Sequence, residues 1–458
     1  MSDRLHAQRR DRDSRDDGLL TPPGNDRGPP EVRAAHDLVE GFFRHEAGRL
    51  IATLGRRYGS HGIELVEDAV QSALERALGT WARRGLPDNP AAWLTRVATH
   101  QVIDRLRKLG REVDADLDRL EAVSGAEGPS PVADTPDVAD EIALLFACAD
   151  EALPERTRLV LCLKLVCGFS THEIATRLFT SEANVQKMVE RGRLCLREAW
   201  SDGGLPPLAR DDLERRLGIV QQVLYLQFNE GYASCRESEP LRPELCDDAI
   251  RLCQLLLAHD ALARPSTWAL LALMHFHRGR LGARLDGGGG ILLLHEQDRS
   301  LWDRHQFALA LECIARAMSE SEFSTYHGEA LILAEHCLAP SYAETRWAEI
   351  VDLYEVLERL SPSPYYVLQR AIALAEWRGP EHGLALLRKE RPPSWLAGHY
   401  LWRATMGELL RRTSDFEGAV FHLCSALEAT PTRAERAVFE RYLERARAHD
   451  AGPDVRSR

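Results

Sequence analysis

Apolar residues recur at intervals of three and four along nearly the whole chain, and this spacing limits the possible folds more than any other feature. Spacing of this kind places apolar side chains on one face of an α-helix, whereas a half-buried strand needs strict alternation. Strand-like alternation is almost absent, and leucine, alanine and arginine dominate the chain. The sequence therefore predicts an essentially all-α protein.

Length and charge limit the class of protein. The chain has 458 residues and a net charge of −12, so its whole surface is not suited to coating DNA, although local basic patches remain possible because charges are screened over ~10 Å. No apolar run approaches the ~20 residues needed to cross a bilayer, and the first thirty residues lack the apolar core of a secretory signal. We therefore expect a cytoplasmic protein with no membrane contact. The ten cysteines are scattered singly, as expected for small buried side chains rather than zinc ligands.

Breaks in composition divide the chain into seven segments. Glycine, proline, serine and acidic residues mark the breaks, and an acidic stretch rich in these residues has the composition of a flexible linker. The predicted segments are a disordered tail (residues 1–30), a helical domain (31–111), the linker (112–140), a second helical domain (141–202), a helical extension (203–325), helical hairpins (326–447) and a second tail (448–458).

Weak repetition appears near the C-terminus. Residues 368–371 (LQRA) recur as 401–404 (LWRA), and 383–385 (GLA) are echoed by 418–420 (GAV). A period near 34 with small residues at helix contacts favours tetratricopeptide-like hairpins, whose concave surface usually receives a protein partner.

Residues 153–200 have the pattern of a helix-turn-helix. Ser170 and Glu173 form a capping box at the start of a short helix, and Ser181 caps the next helix. That second helix buries Val185 and exposes polar groups that can read base edges or hold phosphates. These groups are Asn184, Gln186, Lys187, Glu190 and Arg191.

Two observations keep a second interpretation of this segment open. Phe179 stands where the turn often has glycine, which predicts an altered turn. An ordinary three-helix bundle with a solvated polar face has the same periodicity. The segment alone therefore does not establish DNA binding.

The first helical domain carries a basic helix. Residues 67–75 predict an amphipathic helix, residues 80–89 a loop with Trp81, and residues 90–108 a further helix. Steps of 100° place Arg96, His100, Ile103 and Arg107 on one stripe of this last helix. Arg105, Lys108 and Arg111 lie nearby in sequence and complete a short basic surface.

The order of these motifs resembles the extracytoplasmic-function group of RNA polymerase sigma factors. The carrying residues are Glu67-Asp68 and Gln71, the tryptophan helix from Trp93 to Arg107, the acidic linker and the LPERTR and STHEIA motifs of the helix-turn-helix. The first domain resembles the family's second conserved region and residues 153–200 resemble its fourth. Residues 225–232, 245–252 and 297–303 further resemble a subgroup with a long C-terminal extension.

The resemblance implies a role for each motif. Asp68 and Gln71 would face the clamp helices of the polymerase β′ subunit, and the second domain would also meet the β flap. The residues that would hold the promoter −10 element are Arg96, His100, Arg105, Arg107 and Lys108. Trp81 and Trp93 are the candidates to stack a base there. The exposed residues after Ser181 would read the −35 element. Thr99-His100 replaces the usual Arg-Asn pair, so base preference at −10 is expected to differ, and Ser72 replaces a common acidic residue.

Other functions find little support in the sequence. Gly287–Gly290 lacks the lysine and helix of a phosphate loop, which favours a turn. Asp298 and Asp303 suit helix starts better than a metal or acid–base cluster with His295 and Glu296, and Asn229-Glu230-Gly231 suggests a glycine cap or an interdomain contact. We expect no catalytic residue, no metal and no cofactor. A polymerase-independent regulator and an enzyme within the extension remain the alternatives. The extension is expected to pack on the DNA-binding half or bind a protein, and so to control activity.

Overall fold

The structure is a computed structural model and describes residues 30–108, 140–199, 209–236, 239–390, 392–393, 396, 399–430 and 432–450. The chain consists of two compact units, residues 1–42 and residues 43–458, and the boundary between them lies within the first helix. Of the N-terminal unit only residues 30–42 are described, as helix. Every contact given below lies within the second unit, residues 43–458.

The described residues contain eighteen α-helices and no named strand, so the all-α prediction is confirmed. The first helical group comprises α1 (Pro30–Tyr58), α2 (Ile63–Arg84) and α3 (Pro90–Lys108). Its core lies between α2 and α3, where Val66 and Ala69 meet the side of α3 that buries Leu94 and Val102. Helix α2 continues to Arg84, so the loop predicted over residues 80–89 is shorter than expected. Trp81 is helical and its ring packs edge-to-face on Trp93 at 5.5 Å, and Gly85, with φ of 80°, ends the helix.

The second helical group is the predicted helix-turn-helix with one preceding helix. It comprises α4 (Asp140–Cys148), α5 (Glu155–Leu165), α6 (Thr171–Arg177) and α7 (Glu182–Ala199). Its interior is formed by fully buried residues such as Val160, Phe169 and Val185. The predicted linker lies outside the described residues, apart from Asp140, which is the first residue of α4.

The middle group follows and packs on the second group through α8. It comprises α8 (Arg210–Tyr232), α9 (Pro243–Leu257), α10 (Pro265–Arg280) and α11 (Arg304–Ala317). Between α10 and α11 the glycine run forms a tight turn, as predicted, because one carboxylate oxygen of Asp286 accepts hydrogen bonds from Gly288 and Gly290 at 2.8 Å each. Asp298 and Asp303 cap the helical segments that follow them, which confirms their predicted role as helix starts.

The predicted glycine cap at Gly231 is wrong. Helix α8 continues through Gly231 to Tyr232, and Ala233 is the capping residue. A Cβ at Gly231 would lie 2.7 Å from the Arg242 carbonyl oxygen and from the Cys246 backbone nitrogen. The glycine is therefore required by the close approach of the segment that leads into α9.

The repeat group consists of helical hairpins, as the 34-residue period predicts. It comprises α12 (Thr325–Leu338), α13 (Trp347–Leu360), α14 (Pro364–Arg378), α15 (Pro380–Lys389), α16 (Tyr400–Arg412), α17 (Phe416–Ala429) and α18 (Arg433–Asp450). The two copies of the LxRA motif lie on α14 and α16, the first helices of adjacent hairpins. Gly383 lets α15 approach α14, since a Cβ there would lie 2.4 Å from the Ala371 carbonyl oxygen. Helix α18 runs three residues past the predicted boundary at residue 447.

Candidate nucleic-acid interface

Helix α7 presents the predicted polar face to solvent. Val185 and Val189 are buried beneath it, at 0% and 6% exposure. The face itself consists of five exposed residues, Asn184, Gln186, Lys187, Glu190 and Arg191. The Ser181 hydroxyl accepts a hydrogen bond from the Asn184 backbone N–H, as the predicted cap requires. Nothing in the described part of the chain covers this face.

The altered turn before α7 is built around Phe179. Its φ of 49° lies in the left-handed region, which strongly favours glycine, and its ring is 82% exposed. The turn is held by hydrogen bonds from Thr180 N–H to the Ala175 carbonyl at 2.9 Å and from the Arg156 guanidinium to the Leu178 carbonyl. Phe179 therefore combines a strained backbone with a side chain that buries little surface.

Helix α3 carries the predicted basic surface, with one correction. Arg96, His100, Arg107 and Lys108 are exposed. Ile103, predicted on the same stripe, is 1% exposed and belongs to the core, because the stripe borders the apolar face that packs on α2. Arg105 turns toward α2, where it donates to the Ser72 hydroxyl at 3.1 Å and to the Leu65 carbonyl. Arg111 lies outside the described residues.

The two residues predicted to face the polymerase lie on α2. Asp68 has a 70% exposed side chain, and Gln71 donates to Glu75 on the same exposed side at 3.0 Å. Arg105 also approaches Asp68 at 3.9 Å. Arg105 of the basic helix α3 therefore contacts the surface of α2 near Asp68.

The most connected polar residue of this region was not predicted as a site residue. Glu173 is the third residue of the α6 capping box, and both bonds of that box are present, at 2.7 and 3.1 Å. Its Oε2 accepts from the Ser170 N–H, whereas its Oε1 faces three arginines. These are Arg242 at 2.8 Å, Arg236 at 3.1 Å and Arg44 at 3.5 Å.

This cluster, named here the Glu173 hub, joins three parts of the chain. Arg44 belongs to α1, Glu173 to the helix-turn-helix, and Arg236 and Arg242 to the segment between α8 and α9. Arg242 and Glu173 have side chains that are only 1% and 2% exposed. Burial acts to raise the pKa of Glu173, but Arg44, the Ser170 N–H, Arg242 and Arg236 together lower it to about 2. The carboxylate is therefore ionised at neutral pH and well satisfied.

Further ion pairs surround the Glu173 hub. Glu230 of α8 is fully buried and pairs with Arg177 of α6, which also donates to the backbone carbonyl of Ala233. On the other side Arg251 of α9 bridges Glu141 of α4 at 2.8 Å and Asp248 at 2.7 Å. The interdomain contact proposed for residues 229–231 is thus confirmed.

A different pair links the two helical groups directly. Arg193 of α7 donates to Glu67 of α2 at 2.7 Å, and the second carboxylate oxygen of Glu67 is buried without a partner. Burial raises the pKa of Glu67 despite the opposing effect of Arg193. This pair is therefore poorly compensated, in contrast to the Glu173 hub.

The first and second helical groups also make close contacts at the Val166 backbone and at the Arg44 side chain. A Cβ at Gly48 of α1 would lie 2.1 Å from the carbonyl oxygen of Val166, and one at Gly168 would lie 2.7 Å from the Arg44 Cγ. The contact is close enough to exclude even a methyl group. Together with the ion pairs, it holds the two groups side by side.

The described residues offer neither a metal-binding cluster nor a membrane-spanning helix. Among the described residues no group of histidine, cysteine or acidic side chains could hold a metal ion. No helix in the described ranges is long and apolar enough to cross a membrane.

Comparison with known proteins identifies three matching families along the chain. The model of sigma-70 region 2 matches residues 42–112, the model of sigma-70 region 4 matches residues 144–196, and a family of unknown function, DUF6596, matches residues 216–318. An uncharacterized protein of Rhizobium meliloti (strain 1021), R00370, is 36% identical over 393 residues, which cover 81% of this chain and 89% of the relative. No solved structure matches.

Proposed function

The chain belongs to the sigma-70 family of RNA polymerase sigma factors, in the extracytoplasmic-function group with a long C-terminal extension, and on this premise we propose how it recognises a promoter. These domains imply core RNA polymerase and promoter DNA as partners, and the family is one of non-catalytic transcription factors. In our proposal α3 holds the −10 element, α7 reads the −35 element, and Asp68 and Gln71 contact the β′ clamp helices. The second helical group also meets the β flap.

The exposed polar face of α7 carries this proposal. Its five residues combine two amides, which suit adenine, two cations, which suit guanine or phosphate, and one carboxylate, which suits cytosine. They lie on an α-helix, which a major groove admits. The stripe of Arg96, His100 and Arg107 on α3 adds a second cationic surface for phosphates next to melted bases. Arg105, tied to α2, would orient this helix as well as contribute charge.

Run-off transcription with core polymerase and a promoter library tests the assignment. The Arg96→Ala/Arg107→Ala variant is expected to lose promoter-specific transcripts. The matched control is Arg388→Ala/Lys389→Ala, which removes the same charge from exposed positions at the end of α15, distant in sequence from both DNA-binding helices, and should retain these transcripts. Specific transcripts that survive in the first variant would move the −10 contacts elsewhere. If the unaltered protein gives no transcripts and does not bind core polymerase, the polymerase-independent regulator is favoured instead.

We further propose that the extension regulates activity by keeping the two DNA-binding groups together. The supporting contacts are those of the Glu173 hub, where Arg236 and Arg242 from the extension meet an acid of the helix-turn-helix that also faces Arg44 of α1. Separated promoter elements require the two groups to part. A linker of about 29 residues can extend to about 95 Å, so parting is possible without breaking the chain.

A wedge at the contact between the groups tests this regulation. Gly48→Val places a side chain against the Val166 backbone, whereas Gly79→Val on α2 meets nothing within 4 Å and is the matched control. We expect the first variant alone to show a larger radius of gyration in X-ray scattering and a higher transcript yield. An expanded variant with an unchanged or reduced yield would contradict the proposal.

A further inference from the structure

The inner helices of the repeat group surround a cavity of about 600 Å³. Helices α13, α14, α16 and α18 form most of its wall. This volume falls within the range of about 300–1,000 Å³ that is typical of small-molecule sites. The cavity is distant in sequence from every residue assigned above to DNA or polymerase.

A loop of the chain itself closes one end of this concave surface. Ile291 and Leu293 pack on the cluster that contains Val438 and Phe439 of α18. Arg441 of α18 fixes the loop by donating to the Ile291 carbonyl and to Glu296, at 3.2 Å each. The loop lies against α18 at this end, and the remaining space of about 600 Å³ suits a compact molecule.

One wall of the cavity is aromatic. The rings of Tyr342 and Trp347 lie 5.1 Å apart, and those of His295 and Tyr342 lie 5.5 Å apart, both edge-to-face. His336 meets Trp347 in the same way at 5.2 Å. Burial, with Arg280 and Arg299 nearby, lowers the pKa of His336 to about 3, so this ring is neutral at physiological pH. Aromatic rings in the lining offer a bound planar ring offset-stacked or edge-to-face contacts.

The opposite wall is charged but balanced. Its charged side chains are two glutamates and two arginines, which are paired as Glu376 with Arg412 and Glu408 with Arg411. The second pair has two hydrogen bonds, at 2.7 and 2.8 Å. Since burying a net charge without a counter-charge is costly, this lining disfavours a ligand that carries one. The paired groups still offer acceptors and donors side by side.

We propose that this cavity binds a small, planar, uncharged aromatic molecule, with its ring against the wall of Tyr342 and Trp347 and its polar edge toward the two glutamate–arginine pairs. A molecule bound there would contact both the loop at residues 291–296 and the inner helices of the repeat group. The site is independent of the DNA-binding surfaces, so its test does not rely on transcription.

Titration of the full-length protein with an uncharged naphthalene ketone dye (prodan) tests the proposal. Saturable binding of one dye per chain, with a blue shift in emission, is expected. Thr405→Phe places a ring in the cavity and should raise the Kd about tenfold or more. Ala429→Phe adds the same ring at an exposed position of the next helix and should leave the Kd unchanged. No saturable binding, or equal loss in both variants, would overturn the assignment.

A second variant tests the charge balance without filling the cavity. The anionic anilinonaphthalene sulfonate has a similar ring system and is expected to bind the unaltered protein more weakly than prodan. Glu376→Gln leaves Arg412 without its carboxylate partner, so the Kd of the anion should fall several-fold relative to that of prodan. Tighter binding of the anion than of prodan by the unaltered protein, or no change in their ratio in Glu376→Gln, would refute the uncharged ligand class.

Discussion

Replacing Glu173 by glutamine separates the local and the long-range roles of this side chain. The Oε2 atom caps α6 through the Ser170 N–H, and the Oε1 atom faces Arg44, Arg236 and Arg242. In Glu173→Gln the amide oxygen can still accept from Ser170, which leaves the amide NH₂ pointing at the three guanidinium groups. The variant therefore keeps the helix cap and loses the hub.

Two independent arguments give the size of the effect. Arg242, at 1% exposure, is left in the interior without its main partner, and removing one member of a buried ion pair costs about 3–5 kcal/mol. The pKa of Glu173 lies at about 2 rather than 4.5, and at about 1.36 kcal/mol per pH unit this difference corresponds to about 3 kcal/mol. Arg242 retains Glu244 at 3.2 Å, which argues for the lower end. We expect a loss of about 3 kcal/mol in the free energy of unfolding.

Urea denaturation of the full chain, followed by circular dichroism at neutral pH, measures this loss. Glu190→Gln on the exposed face of α7 is the matched control and should change stability by less than about 0.5 kcal/mol. Because the folded-state pKa of Glu173 is lowered, its contribution is fully present above pH 4.5 and is lost as the pH falls toward about 2. The difference between the unaltered protein and the variant should shrink over that range. A loss below about 1 kcal/mol at neutral pH, or one that does not depend on pH, would refute the reasoning.

Three further predictions concern single side chains. Burial raises the pKa of Glu67, so Glu67→Gln should leave the urea midpoint at neutral pH unchanged or raise it. A loss of more than about 2 kcal/mol in the free energy of unfolding would show instead that the pair with Arg193 stabilises the fold. Phe179→Gly should raise the free energy of unfolding by about 1 kcal/mol because glycine adopts a left-handed backbone without strain, whereas Phe179→Ala should not. If both variants changed the free energy of unfolding equally, backbone strain would not be the cause. Gly231→Ala should lower the melting temperature, because overpacking costs about 1–3 kcal/mol of the free energy of unfolding. Gly218→Ala lies on the same helix, where an added Cβ meets nothing within 4 Å, and should not lower it. An unchanged melting temperature in Gly231→Ala would contradict the close contact.

Local signals in the sequence predicted local structure well. Ser170 and Glu173 lie three residues apart, and their capping box forms as predicted because both partners belong to one helical turn. The predicted position of α7 and its exposed face depends likewise on periodicity and a cap. The repeat motif on α14 and α16 identified the hairpins because each repeat packs on its neighbour.

Contacts between distant residues were not predictable in the same way. Nothing near Glu173 in the sequence indicates a contact with Arg242, which lies 69 positions away. The capping box already accounts for a glutamate at this position, so the sequence pattern suggested no second role for Glu173. Gly231 was misassigned because a helix end and a close backbone approach both select glycine. The signal that did exist was the resemblance of residues 225–232 and 245–252 to recurring segments, which contain the buried Glu230 and the partly buried Asp248.

The position of the Glu173 hub along the chain also sets the order in which its parts are synthesised. Arg44 and Glu173 leave the ribosome first, and Arg236 and Arg242 follow 63 and 69 residues later. At 5–20 residues per second this interval lasts roughly 3–14 s. For those seconds a nascent chain carries both DNA-binding groups without the arginines that secure them. The extension is thus made after both DNA-binding groups, and its arginines complete the Glu173 hub.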